Sequence, residues 1–271
     1  MPFDQIAVIA LIGLLAGVLG GLAGIGGSVF IIPALHIVFS STLFGEPKDP
    51  QIHHLYMAAA MTVNVTVSVP AAIQHYREGA VRTLLLRILI PATAAATIGG
   101  VMLSNLLSGE ALRLLLALFL ILYSIWNFSI IARPRRRSFT GTGRVERTPA
   151  HRLAACGAIT GAIGGLLGLG GGLLLVPLLQ LACNVRLKNA IATSSAVLCF
   201  TAAIGAALKL ATLSQHGERI DHAFVYIVCM APTAILGALW GAKLVHRLPI
   251  IAVRLVMTFI IFLAATKLIG S

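Results

Sequence analysis

The chain is patterned in long apolar runs separated by short polar stretches. Ala111–Ala132 and Ile250–Thr266 are each broken by a single Arg, and each is near the roughly 20 residues that cross a bilayer as a helix. Read the same way, the chain begins with a long segment, Ile6–Ser40, interrupted by glycines. Spans near Leu55–Gln74, Thr83–Leu103 and Ala111–Ala132 follow. After a polar stretch the order returns, with a glycine-interrupted segment, Leu153–Cys183, and spans near Ala190–Leu208, His222–Ala242 and Ile250–Thr266. The pattern predicts an all-α, polytopic membrane protein of two four-segment halves.

The repeat is also visible in the letters. Gly17–Leu35 reads GVLGGLAGIGGSVFIIPAL and Gly161–Leu179 reads GAIGGLLGLGGGLLLVPLL. Gly17, Gly20, Gly21, Gly24, Gly26, Gly27 and Pro33 match Gly161, Gly164, Gly165, Gly168, Gly170, Gly171 and Pro177 at constant spacing. Pro91, Gly100 and Arg113 match Pro232, Gly241 and Arg254. This internal duplication is typical of secondary transporters. It divides the chain into an N-terminal repeat (1–132), a basic loop (133–151) and a C-terminal repeat (152–271).

Composition agrees with a membrane environment. Hydrophobic residues make up 58% of the chain and charged residues 10%, against about 25% charged in soluble domains. The net charge is +12, and six Arg lie within Arg133–Pro149. Between hydrophobic spans, this stretch reads as a cytoplasmic loop held inside by its positive charge, not as a nucleic-acid patch. It would lie against anionic lipid heads of the cell inner (plasma) membrane. Cys156, Cys183, Cys199 and Cys229 form no CxxC pair and lie in or beside apolar runs, so they read as small buried hydrophobes.

With the basic loop inside, Arg77, Arg82 and Arg87 also fall inside, and the loop carrying Glu46, Lys48 and Asp49 falls outside. In the second half, Arg186, Lys188, Lys243, Arg247 and Arg254 compete with Lys209, Arg219 and Lys267 for the inside face. Placing the larger group inside makes the halves inverted, whereas a parallel arrangement exchanges the five for the three. As one helix, Ile6–Ser40 would be roughly 50 Å long. Splitting it at the glycines gives two pieces of roughly 20 Å that meet in a hairpin near mid-membrane.

Glycine-broken segments in matching positions of two halves point to a transport site. Glycine tolerates positive φ and lets a substrate approach the backbone. The free N–H groups of a helix that starts after a break favour an anion. The candidate substrate-binding residues at the breaks are Gly24, Gly26, Gly27 and Ser28 with Gly168, Gly170, Gly171 and Gly172. Thr62 and Asn64 of one span and Thr193 and Ser194 of the corresponding span complete the set. Structural readings stand beside these. Gly13, Gly17 and Gly21, like Gly157, Gly161 and Gly165, have the GxxxG spacing of packed helices, and buried hydroxyls commonly bond between helices.

No Asp or Glu lies in the middle of any span, which argues against a cation pump. Arg77, Arg87 and Lys209 near span ends read as snorkelling anchors or as a positive funnel. His36 and His75 could shuttle protons, but as isolated His near interfaces they read as plain polar anchors. Ser194 and Ser195 have no mid-span His to activate them, and no metal-ligand cluster or cofactor motif is present. An intramembrane hydrolase is therefore disfavoured.

GGLAGIGGSVFIIP, GGLLGLGGGLLLVP, the IATSSA stretch at Ile191–Ala196 and the HYREGAVR stretch at His75–Arg82 resemble the TauE/SafE sulfite-exporter-like family. The resemblance covers nearly the whole chain. It implies a permease for sulfite, sulfonates or related sulfur-containing or organic acids. The expected protein is thus a secondary anion transporter working by alternating access between its repeats, with a channel-like anion pore as the alternative. Its partners would be a small anion and the bilayer, and a homodimer is compatible with the sequence. The first half departs from the motif: Ala60-Met61-Thr62 stands where the second has Ala192-Thr193-Ser194, so a site using both would be asymmetric.

Overall fold

The structure is a computed structural model that describes residues 3–40, 51–132, 149–217, 220–244 and 250–270. Among these residues the secondary structure is helical, with no strands. The first set of helices is α1 (Phe3–Ala23), α2 (Ser28–Ser40), α3 (Ile52–Arg77), α4 (Thr83–Asn105) and α5 (Gly109–Ala132). The second is α6 (Ala150–Leu166), α7 (Gly172–Cys183), α8 (Leu187–Thr212), α9 (Ile220–Leu244) and α10 (Ile250–Gly270). Among the described residues six helices, α1, α3, α4, α5, α8 and α9, are long and apolar enough to cross a membrane. Outward-facing side chains such as Leu118, Leu122, Val228 and Leu236 are exposed, as a surface meeting lipid requires. Residues 133–148, with all six Arg of the basic loop, lie outside the described residues, as do Glu46, Lys48, Asp49, Arg219 and Arg247.

Each set opens with a hairpin. Gly27 packs against Ala16, and Gly171 against Thr160, so α2 and α7 turn back along the helices that precede them. The arms are unequal, which corrects the expectation of two pieces of similar length. At 21 and 13 residues, α1 and α2 are about 31 and 20 Å long. At 17 and 12 residues, α6 and α7 are about 25 and 18 Å long. The extra turns of α1 lie at its N-terminal end, where Phe3 and Asp4 are exposed.

The early glycines of each motif form helix seams. Gly13, Gly17 and Gly21 lie against Met230, Ala234 and Ala238, so α1 and α9 run parallel. Gly157, Gly161 and Gly165 lie against Thr93 and Thr97 and their neighbours, so α6 and α4 run parallel. The opening helix of each set therefore packs on the fourth helix of the other. Lipid tails are as apolar as these side chains, so close backbone approach at small residues supplies the contact. At the centre α3 meets α8. Lys209 bonds His54, near the start of α3, while Thr193 bonds the backbone of Arg82, just beyond its end. Hence α3 and α8 run antiparallel.

A Cβ at Gly161 or Gly241 would strike the carbonyl of Thr93 or Val18. Gly161→Leu and Gly241→Leu should each cost about 1–3 kcal/mol or more through overpacking. Gly99→Leu, which meets open space, should be nearly neutral. Thermal unfolding in detergent checks this, and equal melting of all three variants would refute the seams.

Candidate functional site

The two breaks meet at the level of the midpoints of α3 and α8. Gly24 and Gly26 in the first, and Gly168, Gly170 and Gly171 in the second, have φ between 64° and 95°, a region that side chains with a Cβ rarely adopt. The breaks touch directly: a Cβ at Gly172 would lie 2.8 Å from the Ile25 Cα. All eight candidate residues at the breaks are buried.

Asn64, at the middle of α3, joins the two. Its Oδ1 accepts from the Gly27 N–H at 2.7 Å. Its Nδ2 donates to Ser28 Oγ at 3.1 Å and to the Leu169 carbonyl at 3.4 Å. Ser194, from α8, donates to the Gly24 carbonyl at 2.8 Å and faces the Gly172 carbonyl at 3.4 Å. Thr201, about two turns further along α8, donates to the Gly170 carbonyl at 2.8 Å. One neutral amide and two hydroxyls thus satisfy backbone groups that the breaks leave without helical partners.

Not every candidate reaches this junction. Thr62 is half-buried and donates to the Ala58 carbonyl of its own helix at 2.8 Å. It lies two residues from Asn64, about 200° around the helix. Thr193 is buried and accepts from the Arg82 N–H at 3.3 Å, which fastens the α3–α4 connection to α8. With the Asn189 amide turned over, its oxygen would accept from the Arg82 guanidinium there, at 2.9 Å. Thr201 was not among the candidates. It sits in an apolar stretch, and only the fold brings it to Gly170.

The junction is close-packed, with the glycines touching protein on every side that a Cβ would occupy. A pocket lies on its flank, lined by Leu22, Ile25, Val176, Ile191 and Met257, with the bonded pair Asn127 and Thr258 as its polar wall. The pocket touches both hairpins.

Two basic residues differ from expectation. Lys209 is fully buried and hydrogen-bonded, so it is not a snorkelling anchor. His36 is buried and its Nε2 lies 2.8 Å from His53 Nδ1, so it is not isolated. Arg77 and Arg87 are exposed.

Helices of membrane-crossing length around two glycine-broken hairpins define a multi-pass membrane protein. The sulfite exporter TauE/SafE family profile matches residues 9–268, and the chain belongs to that family. It is 23% identical to the probable membrane transporter protein YunE of Bacillus subtilis, over 97% of this chain and 96% of that one. It is 25% identical to a probable membrane transporter protein of Methanocaldococcus jannaschii, over 94% of this chain and 91% of that one. The probable membrane transporter protein MamO of Paramagnetospirillum magneticum is 24% identical over 98% of this chain, which corresponds to 45% of MamO. No solved structure matches. The chain is a membrane transporter, not an enzyme.

Asn64→Leu would leave the Gly27 N–H buried without a partner, at about 1–3 kcal/mol for each group so orphaned. Thr62→Val should change stability by less than about 0.5 kcal/mol. Thermal unfolding of the two variants compares them, and an unchanged melting point for Asn64→Leu would show that the junction is not pinned there.

Proposed function

We propose that the chain is a secondary transporter of small anions, among them sulfite, sulfonates and related sulfur-containing or organic acids, and that the hairpin junction is its substrate site. The meeting of two glycine-rich breaks, held by neutral donors, is the observation that carries this reading. The α2 and α7 N-termini bring first-turn N–H groups to the junction, and these carry partial positive charge. Asn64 Nδ2 and the Ser28 and Ser194 hydroxyls add donors. The longest junction bonds run to the Leu169 and Gly172 carbonyls. An anion entering between the hairpins would replace those carbonyls as acceptor. The apolar flank pocket suits the organic part of a sulfonate or carboxylate. Thr62 and Thr193, held elsewhere, have supporting roles at most in this scheme.

The closed junction corresponds to an occluded state, and alternating access follows if the repeats 1–132 and 152–271 rock about it. The antiparallel run of α3 and α8 supports inverted repeats, because equivalent helices of parallel repeats would run the same way. Inversion places the 133–151 loop and the Lys188 end of α8 on the cytoplasmic face of the plasma membrane. Cysteines at Glu78 and Lys188 should then label from one side, and cysteines at Ser108 and Ser214 from the other. Labelling of positions 78 and 188 from opposite sides would refute the inverted arrangement.

Proteoliposomes should take up one of sulfite, thiosulfate or methanesulfonate with saturation and show counterflow, whereas a pore would show neither. Ser28→Asp should reduce uptake at least about tenfold below Ser28→Asn, since the two side chains are similar in size and a negative charge at low dielectric repels the substrate. Equal uptake by the two folded variants would remove the anion site from the first hairpin.

A further inference from the structure

We propose that Lys209 and His54 form a proton site that couples proton movement to anion transport; this rests on the anion-transport reading above. Lys209 lies in the last turns of α8 with no exposed surface. Its Nζ is 2.8 Å from His54 Nδ1 on α3, and it donates to Ser104 Oγ at 2.9 Å and Asn105 Oδ1 at 2.7 Å, both on α4. An ammonium has three N–H bonds, and three acceptors receive them. His54 Nε2 lies 3.1 Å from the Leu107 carbonyl, which can only accept. Nε2 therefore carries the imidazole hydrogen, and Nδ1 is free to accept from Lys209.

Among the described residues, every partner of Lys209 is neutral. His54 stacks on His216 with centroids 3.7 Å apart. His53 of α3 is the next imidazole, stacked on His36 of α2, and Arg113 of α5 acts electrostatically on both. Facing Lys209, α4 presents only neutral Ser104 and Asn105, and Asn105 bonds Thr212 at 3.1 Å. Glu110 of α5 and Asp221 of α9 are exposed. Among the described residues no carboxylate pairs with Lys209.

An ammonium buried without a counter-charge is strongly unfavourable. It can be neutralised by losing its proton, or its charge can be offset across the low-dielectric interior by an anion at the junction, about 12–22 Å along α8. The loaded carrier satisfies the second condition and the empty carrier the first, so proton and anion move together. Lys209 shares α8 with Thr201 and Ser194, which hold the two breaks. In deprotonation, Nζ passes one proton to His54 Nδ1, and the imidazole releases its Nε2 proton on the Leu107 side, beside the exposed Leu106. One proton leaves; Lys209 becomes a neutral amine and His54 stays neutral as the other tautomer.

The test uses the full chain in proteoliposomes, with labelled methanesulfonate and an internal pH dye. Methanesulfonate stays ionised, so any proton that accompanies it comes from the protein. An inward methanesulfonate gradient should acidify the lumen with wild type. Lys209→Gln should keep counterflow within about threefold while losing proton movement at least about tenfold. Lys209→Arg, which keeps the charge but does not release its proton, should also exchange without proton movement, and serves if the Gln variant fails to fold. Undiminished proton movement in either folded variant overturns the proposal. Loss of counterflow in both folded variants also overturns it, marking Lys209 as a structural pin. Wild type that shows counterflow without acidification overturns this inference alone; wild type without counterflow overturns the anion reading for this probe and the inference with it.

Discussion

Backbone groups at the two breaks have no helical partners, and the bilayer interior offers no water to replace them. The carbonyls of Gly24, Leu169 and Gly170 and the N–H of Gly27 all need side-chain partners. Asn64, Ser194 and Thr201 meet that need. Because these side chains come from α3 and α8, the two helices must cross at the breaks. The centre of the bundle follows from this requirement, and the outer helices are arranged around it.

The seams complete the arrangement by a different means. Where α1 meets α9 and α6 meets α4, glycines let backbones approach. The same motif therefore does two jobs along its length. Its early glycines remain helical and close a seam, while Gly24, Gly26, Gly168, Gly170 and Gly171 adopt positive φ where the helix breaks. Ser28 and Gly172 occupy matching positions but cannot be exchanged freely. A side chain at position 172 would meet Leu198 and the backbone of the first break, whereas Ser28 accepts a bond from Asn64.

Much of this was legible in the sequence because it depends on spacing. Span positions, the doubled hairpins and the division of the glycines all follow from local pattern. The identity of the partners did not follow. Thr62 and Ser194 match in the repeat motif, yet Thr62 turns into its own helix and Ser194 reaches the breaks. Lys209 near the end of an apolar span reads as a snorkelling residue until α3 and α4 are seen to enclose it. Contacts between residues so far apart along the chain leave no trace in local periodicity.

The uneven bond lengths at the junction bear on how it can open. Asn64 holds Gly27 of the first hairpin at 2.7 Å but Leu169 of the second at 3.4 Å. Ser194 holds Gly24 of the first at 2.8 Å but Gly172 of the second at 3.4 Å. Hydrogen bonds weaken as the donor–acceptor distance grows beyond about 3.2 Å. Both bridging side chains therefore favour the first hairpin, and the weaker links all run to the second. Thr201 holds the second hairpin to α8 separately, through Gly170. If the hairpins were to separate along this plane, the two long contacts would be lost, while the short bonds would keep the first hairpin on Asn64 and Ser194 and the second on Thr201, so both would stay attached to α8.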